Sequence, residues 1–323
     1  MTQLAFLERD DGPRLAFRPR DGEEPTLLFL PGYASDMDGT KAVALDAFAE
    51  RRGLSMLRFD YSGTGSSEGR FEDATLAGWI ADATIILDEC TRGPVIAIGS
   101  SMGGWIALHL AIQRPDRVSA IVGIAAAPDF TEWGYSDALK QRLAAGETLR
   151  LELPDGGAHV TASSFWTSGQ SMRVLASEIA IDCPVRLIHG DRDEDVPMDI
   201  AFRLKDRLRS ADVQVKVIKG GGHRLSEPHD AKIGNKPLGP VLADQHHAIT
   251  GRKAEAFQAI GEGGDLPGGF IPADATPFAL APGPEEWFIT LLAHSRQEHG
   301  YQVGKLLELA RHDLPFAACG RAS

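Results

Sequence analysis

The run Pro94-Val95-Ile96-Ala97-Ile98-Gly99-Ser100-Ser101-Met102-Gly103-Gly104 carries apolar β-formers straight into a turn of small residues. Trp105, Ile106, Leu108, Leu110 and Ala111 follow at helical spacing. The pattern predicts a strand, a sharp turn and a helix. Gly99 to Gly103 fits the G-x-S-x-G nucleophile elbow, with Ser101 as the nucleophile. Small neighbours let strand and helix approach closely while the serine takes strained dihedrals. Its oxygen would then stand at a helix N-terminus, where the dipole favours a developing oxyanion. The competing reading is a glycine-rich turn that happens to contain a serine. The strand before it and the helix after it argue against that.

The flanking sequence repeats the same rhythm. Leu4 to Arg9 and Arg14 to Arg18 alternate around Asp11-Gly12-Pro13 and read as an antiparallel hairpin. Residues 26–30, 55–60, 118–124 and 185–189 read as strands, and 213–218 alternates as a sheet edge would. Helical patterns fill 40–51, 75–90 and 199–209 between them. Strands alternating with helices imply an α/β protein, a mostly parallel sheet with helices on both faces. The loop Asp60 to Gly69 looks like a dinucleotide fingerprint, but Glu68 stands where the third glycine belongs. A tight structural loop is the preferred reading there.

The rhythm stops at Ala127-Pro128-Asp129-Phe130. Residues 130–182, with Trp133 and Trp166, predict a small lid containing one helix (137–145) and a hairpin around Gly156-Gly157. The expected hydrolase unit spans 1–228. Between 228 and 284 stand eight prolines and nine glycines, and helical patterns return only at 252–260 and 285–312. Residues 229–323 are therefore expected to form an irregular C-terminal extension.

A serine alone is a poor nucleophile and needs a base oriented by a third group. His223 follows the last predicted strand in a glycine-rich loop and is the expected general base. Asp191, Asp193 and Asp195 compete for the acid. His189 is expected to close the strand end. The backbone N–H groups of Met102 and Tyr33 are the expected oxyanion donors.

The runs 30–41 (LPGYASDMDGTK), 58–67 (RFDYSGTGSS), 99–105 (GSSMGGW), 183–190 (CPVRLIHG) and His223-Arg224 resemble the serine-class α/β-hydrolases. Among these the resemblance is to the branch of palmitoyl-protein thioesterases and acyl-glucuronide esterases. It implies an α/β-hydrolase fold and cleavage of acyl thioesters or esters, including S-acylated protein. No cofactor is called for. His189-Gly190-x-x-Asp193-x-x-Val196-Pro197 matches the family's motif, and the resemblance implies Asp193 as the acid, with Asp195 second. Phe130, Trp133, Phe165 and Trp166 of the lid must bury against something. Either they anchor the lid to the core or some of them, Trp133 and Trp166 first, line an acyl channel.

The 323 residues carry 33 basic and 45 acidic side chains, a net charge of −12, which argues against nucleic acid or anionic membranes as partners. Three cysteines, Cys90, Cys183 and Cys319, without metal-type spacing suggest reduced thiols. No run of 18 apolar residues and no leader pattern stand in the sequence, so the expected location is cytoplasmic. Two other function classes compete: a small-molecule carboxylesterase, and a non-catalytic binding protein on the same fold. A metal hydrolase using His223, His229, His246 and His247 lacks the helix-spaced H-E-x-x-H pattern.

Overall fold

A hairpin of β1 (Ala5–Leu7) and β2 (Leu15–Arg20) pairs antiparallel and leads into β3 (Glu23–Leu30). The computed structural model describes residues 2–152 and 158–225. After β3 come α1 (Thr40–Arg52), β4 (Leu54–Phe59), α2 (Leu76–Cys90), β5 (Val95–Ser100), α3 (Met102–Gln113) and β6 (Val118–Ile124). The described residues build one eight-stranded sheet in the order β1-β2-β4-β3-β5-β6-β9-β10, where β9 is Val185–Gly190 and β10 is Val213–Ile218. The six strands from β4 to β10 run parallel, and β2 joins β4 antiparallel. The α/β-hydrolase fold expected above is the fold observed, and β10 lies at the sheet edge, as its alternation implied.

The period of two divides each strand between two cores. On β3, Leu28 and Leu30 face Trp79, Trp105 and Ile106, whereas Leu27 and Phe29 face Leu45 and Phe48. α1 stops at Gly53, which takes φ +65° and donates to the Ala49 and Glu50 carbonyls. α2 starts at Thr75, whose hydroxyl accepts the Gly78 N–H at 3.0 Å. α3 is apolar all round and accordingly lies buried between sheet and neighbours.

The Asp60–Gly69 loop carries its own anion. Asp60 accepts the N–H groups of Met37 and Ser66, each at 2.7 Å, and a Cβ on Gly65 would strike that carboxylate. Within the loop the Ser66 N–H is thus used by Asp60 and the Ser62 N–H by Asp82, while those of Gly63, Thr64, Ser67 and Glu68 bond backbone carbonyls, which accounts for its turns without a phosphate.

Residues 130–182 leave the sheet as expected, but hold more structure than the sequence suggested. They form α4 (Phe130–Trp133), α5 (Asp137–Ala144), the antiparallel hairpin β7 (Leu149–Glu152) with β8 (Ala158–Thr161), and α6 (Ser163–Ser171). The hairpin's turn at Gly156-Gly157 lies outside the described residues. α6 escaped sequence reading because Ser163, Ser164, Thr167, Ser168 and Gly169 are weak helix formers. Packing forms it instead. Phe165 is buried, and Gly169 lets the helix approach Thr131 so closely that a Cβ would collide. α7 (Asp199–Arg207) then buries Ile200 and Leu204 and leaves Arg203, Lys205 and Arg207 exposed. The boundary expected at 228, the extension 229–323 with its two helical patterns, and Cys319 lie outside the described residues.

The helix–strand junction gives a stability prediction. A Cβ on Gly103 would run into the Leu30 carbonyl, whereas one on Gly53 meets nothing within 4 Å. Gly103→Ala is expected to cost at least the ~1–3 kcal/mol of an overpacked core. Gly53→Ala should cost about 1 kcal/mol, from its positive φ alone. Urea unfolding midpoints of the two variants check the order.

Candidate active site

β5 delivers Ser101 into φ +54° and ψ −119°, a region that L-residues seldom occupy. Hydrogen bonds hold it there. Its N–H donates to the Ile124 carbonyl at 2.9 Å, and its carbonyl accepts from Gly104 and Ala127 at 2.9 and 3.0 Å. Glycine makes the turn passable: a Cβ on Gly99 would strike Gly103. On the other side, Gly32 brings the loop after β3 so near that its Cβ would lie 3.4 Å from Ser101 Cβ. Tyr33 and Met102, the expected oxyanion donors, therefore flank the serine from two separate segments.

Asp193 and His223, the expected acid and base, follow the adjacent parallel strands β9 and β10. The loops that follow them are bound together. Asp191 N–H donates to Ile218, Arg192 N–H donates to Gly221 at 2.9 Å, and Gly220 N–H donates to the Asp191 carboxylate. His223 Nδ1 lies 2.9 Å from Asp193 Oδ2, and His223 Nε2 lies 3.2 Å from Ser101 Oγ. Nδ1–H donating to the carboxylate leaves the Nε2 lone pair for the serine hydroxyl. Of the three competing aspartates, Asp193 is the one bonded to His223. Asp195 is exposed and lends its N–H to Asp193 Oδ1 at 3.0 Å, beside Val196 N–H at 2.8 Å.

The Asp193 side chain is fully buried. Burial alone would raise its pKa. The His223 and Val196 hydrogen bonds, with the charges of His223 and His189, outweigh that and hold the carboxyl below its ordinary value. His189 closes the strand end through Nε2 to the Val196 carbonyl at 2.9 Å. Among the described residues, Asp193, Asp195 and His223 also form a group whose ligand-type atoms lie within 4.8 Å of one another. Two of these three already satisfy each other. His229, His246 and His247 lie outside the described residues.

The lid's tryptophans are half-buried, and both indole N–H groups serve lid backbone. Trp133 donates to the Pro128 carbonyl and Trp166 to the Thr131 carbonyl, each at 2.8 Å. Trp133 packs on the large core that includes Met102, whereas Trp166 packs on a small core of Tyr135, Leu143 and Leu149 inside the lid. Sequence reading expected Phe130 and Phe165 to bury but missed the Tyr33 ring and His159, which meet them beneath the lid. Tyr33 meets Phe165 at 4.8 Å, His159 at 5.1 Å and Phe130 at 5.9 Å between ring centroids. His159 stays below its ordinary pKa because it is buried.

Lys41 was also missed. It stands in the first turn of α1, where burial and the like charge of Arg224 push its ammonium down to about 8, against an opposing pull from Asp193. A lysine of lowered folded pKa destabilises the fold while it is charged. That cost is full below pH 8 and disappears as pH rises from 8 towards 10.5, where the unfolded chain still binds the proton. Lys41→Met should therefore be more stable than wild type at pH 7, by at most about 3 kcal/mol. The gap should close by pH 10; urea unfolding at both pH values measures it.

Comparison with known proteins agrees with this architecture. Residues 25–151 match the family described as alpha/beta hydrolase fold. Palmitoyl-protein thioesterase ABHD10, mitochondrial, of Homo sapiens is 38% identical over 237 residues, covering 72% of this chain and 78% of that protein. The Mus musculus protein of the same name is 41% identical and 80% covered. Among solved structures, alpha/beta hydrolase domain-containing protein 10 from mouse superposes with a TM-score of 0.66 at 39% identity, over 71% of this chain and 93% of that one. A putative hydrolase from Agrobacterium vitis gives 0.65 at 36% identity, over 71% and 94%. No helix among the described residues is long and apolar enough to cross a membrane. With its sheet order, its strained serine turn and these relatives, the chain belongs to the α/β-hydrolase family.

Proposed function

We propose that the chain, a hydrolase of ester or thioester bonds, works through an acyl-enzyme on Ser101 and takes long-chain acyl thioesters, S-acylated protein among them. The observation that carries this reading is the continuous hydrogen-bonded line from Ser101 Oγ through His223 to Asp193, begun at a strained turn. His223 takes the serine proton as Oγ attacks the carbonyl, then returns it to the departing thiol or alcohol. Asp193 holds the imidazole in the tautomer this needs. The N–H groups of Met102 and Tyr33 stabilise the oxyanion, each worth about 3–4 kcal/mol in sites of this kind. Water then releases the acid by the same route.

The thioester preference rests on the relatives, whose printed names describe palmitoyl-protein thioesterases. The acyl chain is assigned to the face of Trp133, which shares a core with Met102 and Phe130, and Trp166 is assigned to the lid's own scaffold. Cys90 and Cys183 are free, and burial raises both thiols to about 11. A reducing compartment such as the cytoplasm is assigned from the sparse, unpatterned cysteines of the sequence. The relatives carry mitochondrial in their names, so cell fractionation decides the compartment.

Ser101→Ala is expected to lower kcat at least about a thousandfold and to abolish fluorophosphonate labelling, with unfolding unchanged. Asp193→Asn should lose far more activity than Asp191→Asn or Asp195→Asn. A panel of acyl thioesters and oxygen esters from two to sixteen carbons tests the substrate. Each methylene taken into an apolar channel should raise kcat/KM roughly fourfold until the channel is full. A profile that peaks at acetyl esters would instead make the chain a small-molecule carboxylesterase. Full labelling of Ser101→Ala, or loss of rate in a chelator, would move the chemistry off this serine.

A further inference from the structure

The side chain of Tyr33 is engaged elsewhere while its backbone flanks Ser101. Its hydroxyl donates to the Val160 carbonyl on β8 at 2.6 Å. Its ring contacts Phe71 and Trp79 of the hydrolase body and His159, Phe130 and Phe165 of the lid. The phenol is buried, which raises its pKa and keeps the hydroxyl a donor. One residue therefore follows directly on Gly32, which approaches the serine turn, and reaches the lid hairpin with its tip.

The remainder of the lid is fastened by other means. Both Asp129 oxygens accept N–H groups, from Val174 at 2.8 Å and Leu175 at 2.9 Å, and join the two ends of the lid. Trp105 and His109 of α3 donate to the Met172 carbonyl. Ala77 N–H of α2 donates to Ser168 on α6. The second strand of the hairpin bonds Tyr135 through Thr161, which is a contact within the lid. The Tyr33 hydroxyl bond to Val160 joins that same strand directly to the body.

The loop that holds Tyr33 is itself shaped by a few contacts. Ser35 N–H donates to the Gly32 carbonyl at 3.2 Å, and Ala34 takes φ +54°. A pull on the phenol is passed to the Tyr33 N–H, the expected oxyanion donor, since side chain and N–H share one Cα.

We propose that Tyr33 is a positioning residue that couples the lid hairpin to the oxyanion loop, through its hydroxyl bond to Val160 and its ring packed between lid and body. The proposal rests on the acyl-enzyme reading above. With the hairpin down, the phenol is fixed and the Tyr33 N–H is aimed at the serine. With the hairpin raised, residues 31–35 lose that constraint and the donor drifts. An acyl chain that holds the hairpin down would thereby improve turnover as well as binding.

Tyr33→Phe tests this, because it keeps the ring and removes the one hydrogen bond. Hydrogen exchange of the full-length protein reads the coupling without reference to activity. Exchange should rise roughly two- to tenfold in peptides covering 158–161 and, by a similar factor, in those covering 31–35. In kinetics, kcat should fall severalfold for a short acyl thioester, with a smaller fall for a long one. Tyr135→Phe is the comparison. It removes a hydroxyl bonded to the same strand inside the lid, so it should loosen 158–161 and leave 31–35 as in wild type. Faster exchange at 158–161 alone in Tyr33→Phe, or equal release of 31–35 by Tyr135→Phe, would overturn the coupling. Ser101→Ala separates the two readings: retained turnover there removes the acyl-enzyme, while the exchange result still stands or falls by itself.

Discussion

The near contact between the end of β3 and the first turn of α3 is the constraint on which the site rests. Gly103 faces the Leu30 and Pro31 carbonyls, Gly99 faces Gly103, and Gly32 faces Ser101 Cβ. A side chain at Gly99 or Gly103 would hold strand, loop and helix apart. The loop of Gly32 and Tyr33 would then lie away from the serine. The approach also demands the positive φ of Ser101, a strain of about 1–3 kcal/mol. Three backbone hydrogen bonds to Ser101 from β6, α3 and Ala127 oppose that strain. The geometry of Ser101, the proposed nucleophile, is thus a property of the sheet.

Strand register does for Asp193 and His223 what glycine does for the serine. β9 and β10 pair in parallel from Val213 opposite Val185 to Ile218 opposite Gly190, so their loops emerge side by side. Gly190 has no Cβ because the Gly221 carbonyl occupies that space. The loops are then bonded through Asp191 and Arg192, which leaves Asp193 and His223 little freedom to separate. Asp193 is dry yet ionised, because two N–H groups of its own loop and one imidazole N–H surround it. A carboxylate so placed can orient the imidazole without competition from water.

The elements that were legible in the sequence are those whose burial pattern is local. Apolar runs such as Thr26 to Leu30 and Val118 to Ile124 are strands because both faces are covered, and runs of that kind are visible without partners. Asp193 was distinguishable from Asp191 and Asp195 by its spacing to Val196, and the reason is visible in the hydrogen bond that Val196 N–H makes to it. α6 was not legible, since its serines and glycine oppose a helix and only Thr131 and the core beneath Phe165 favour one. Lys41 was not legible either. A lysine in the first turn of a helix reads as solvated, and its burial beside Arg224 depends on chain folded from nearly two hundred residues away. The tryptophans were visible as residues that must bury, but their different cores could not be told from sequence. That difference comes from α4 and α6 packing against each other.

The lid divides into a fixed base and a hairpin by the chemistry of its fastenings. Asp129 is a buried carboxylate in a left-handed turn; burial raises its pKa, while the Val174 and Leu175 N–H groups draw it back. Charge-assisted bonds of this kind are about twice as strong as neutral ones, and their loss would leave a carboxylate stranded in the core. The base is also bonded to α3, the helix that begins at the nucleophile, so displacing it would disturb the serine. The second strand of the hairpin meets the body through the neutral Tyr33 phenol bond and ring contacts, which are individually weak and can be remade after they slip. Selectivity for the acyl group can therefore change in the hairpin and the rings beneath it at little cost to the serine. Change at Asp129, Trp105 or His109 would reach the chemistry directly.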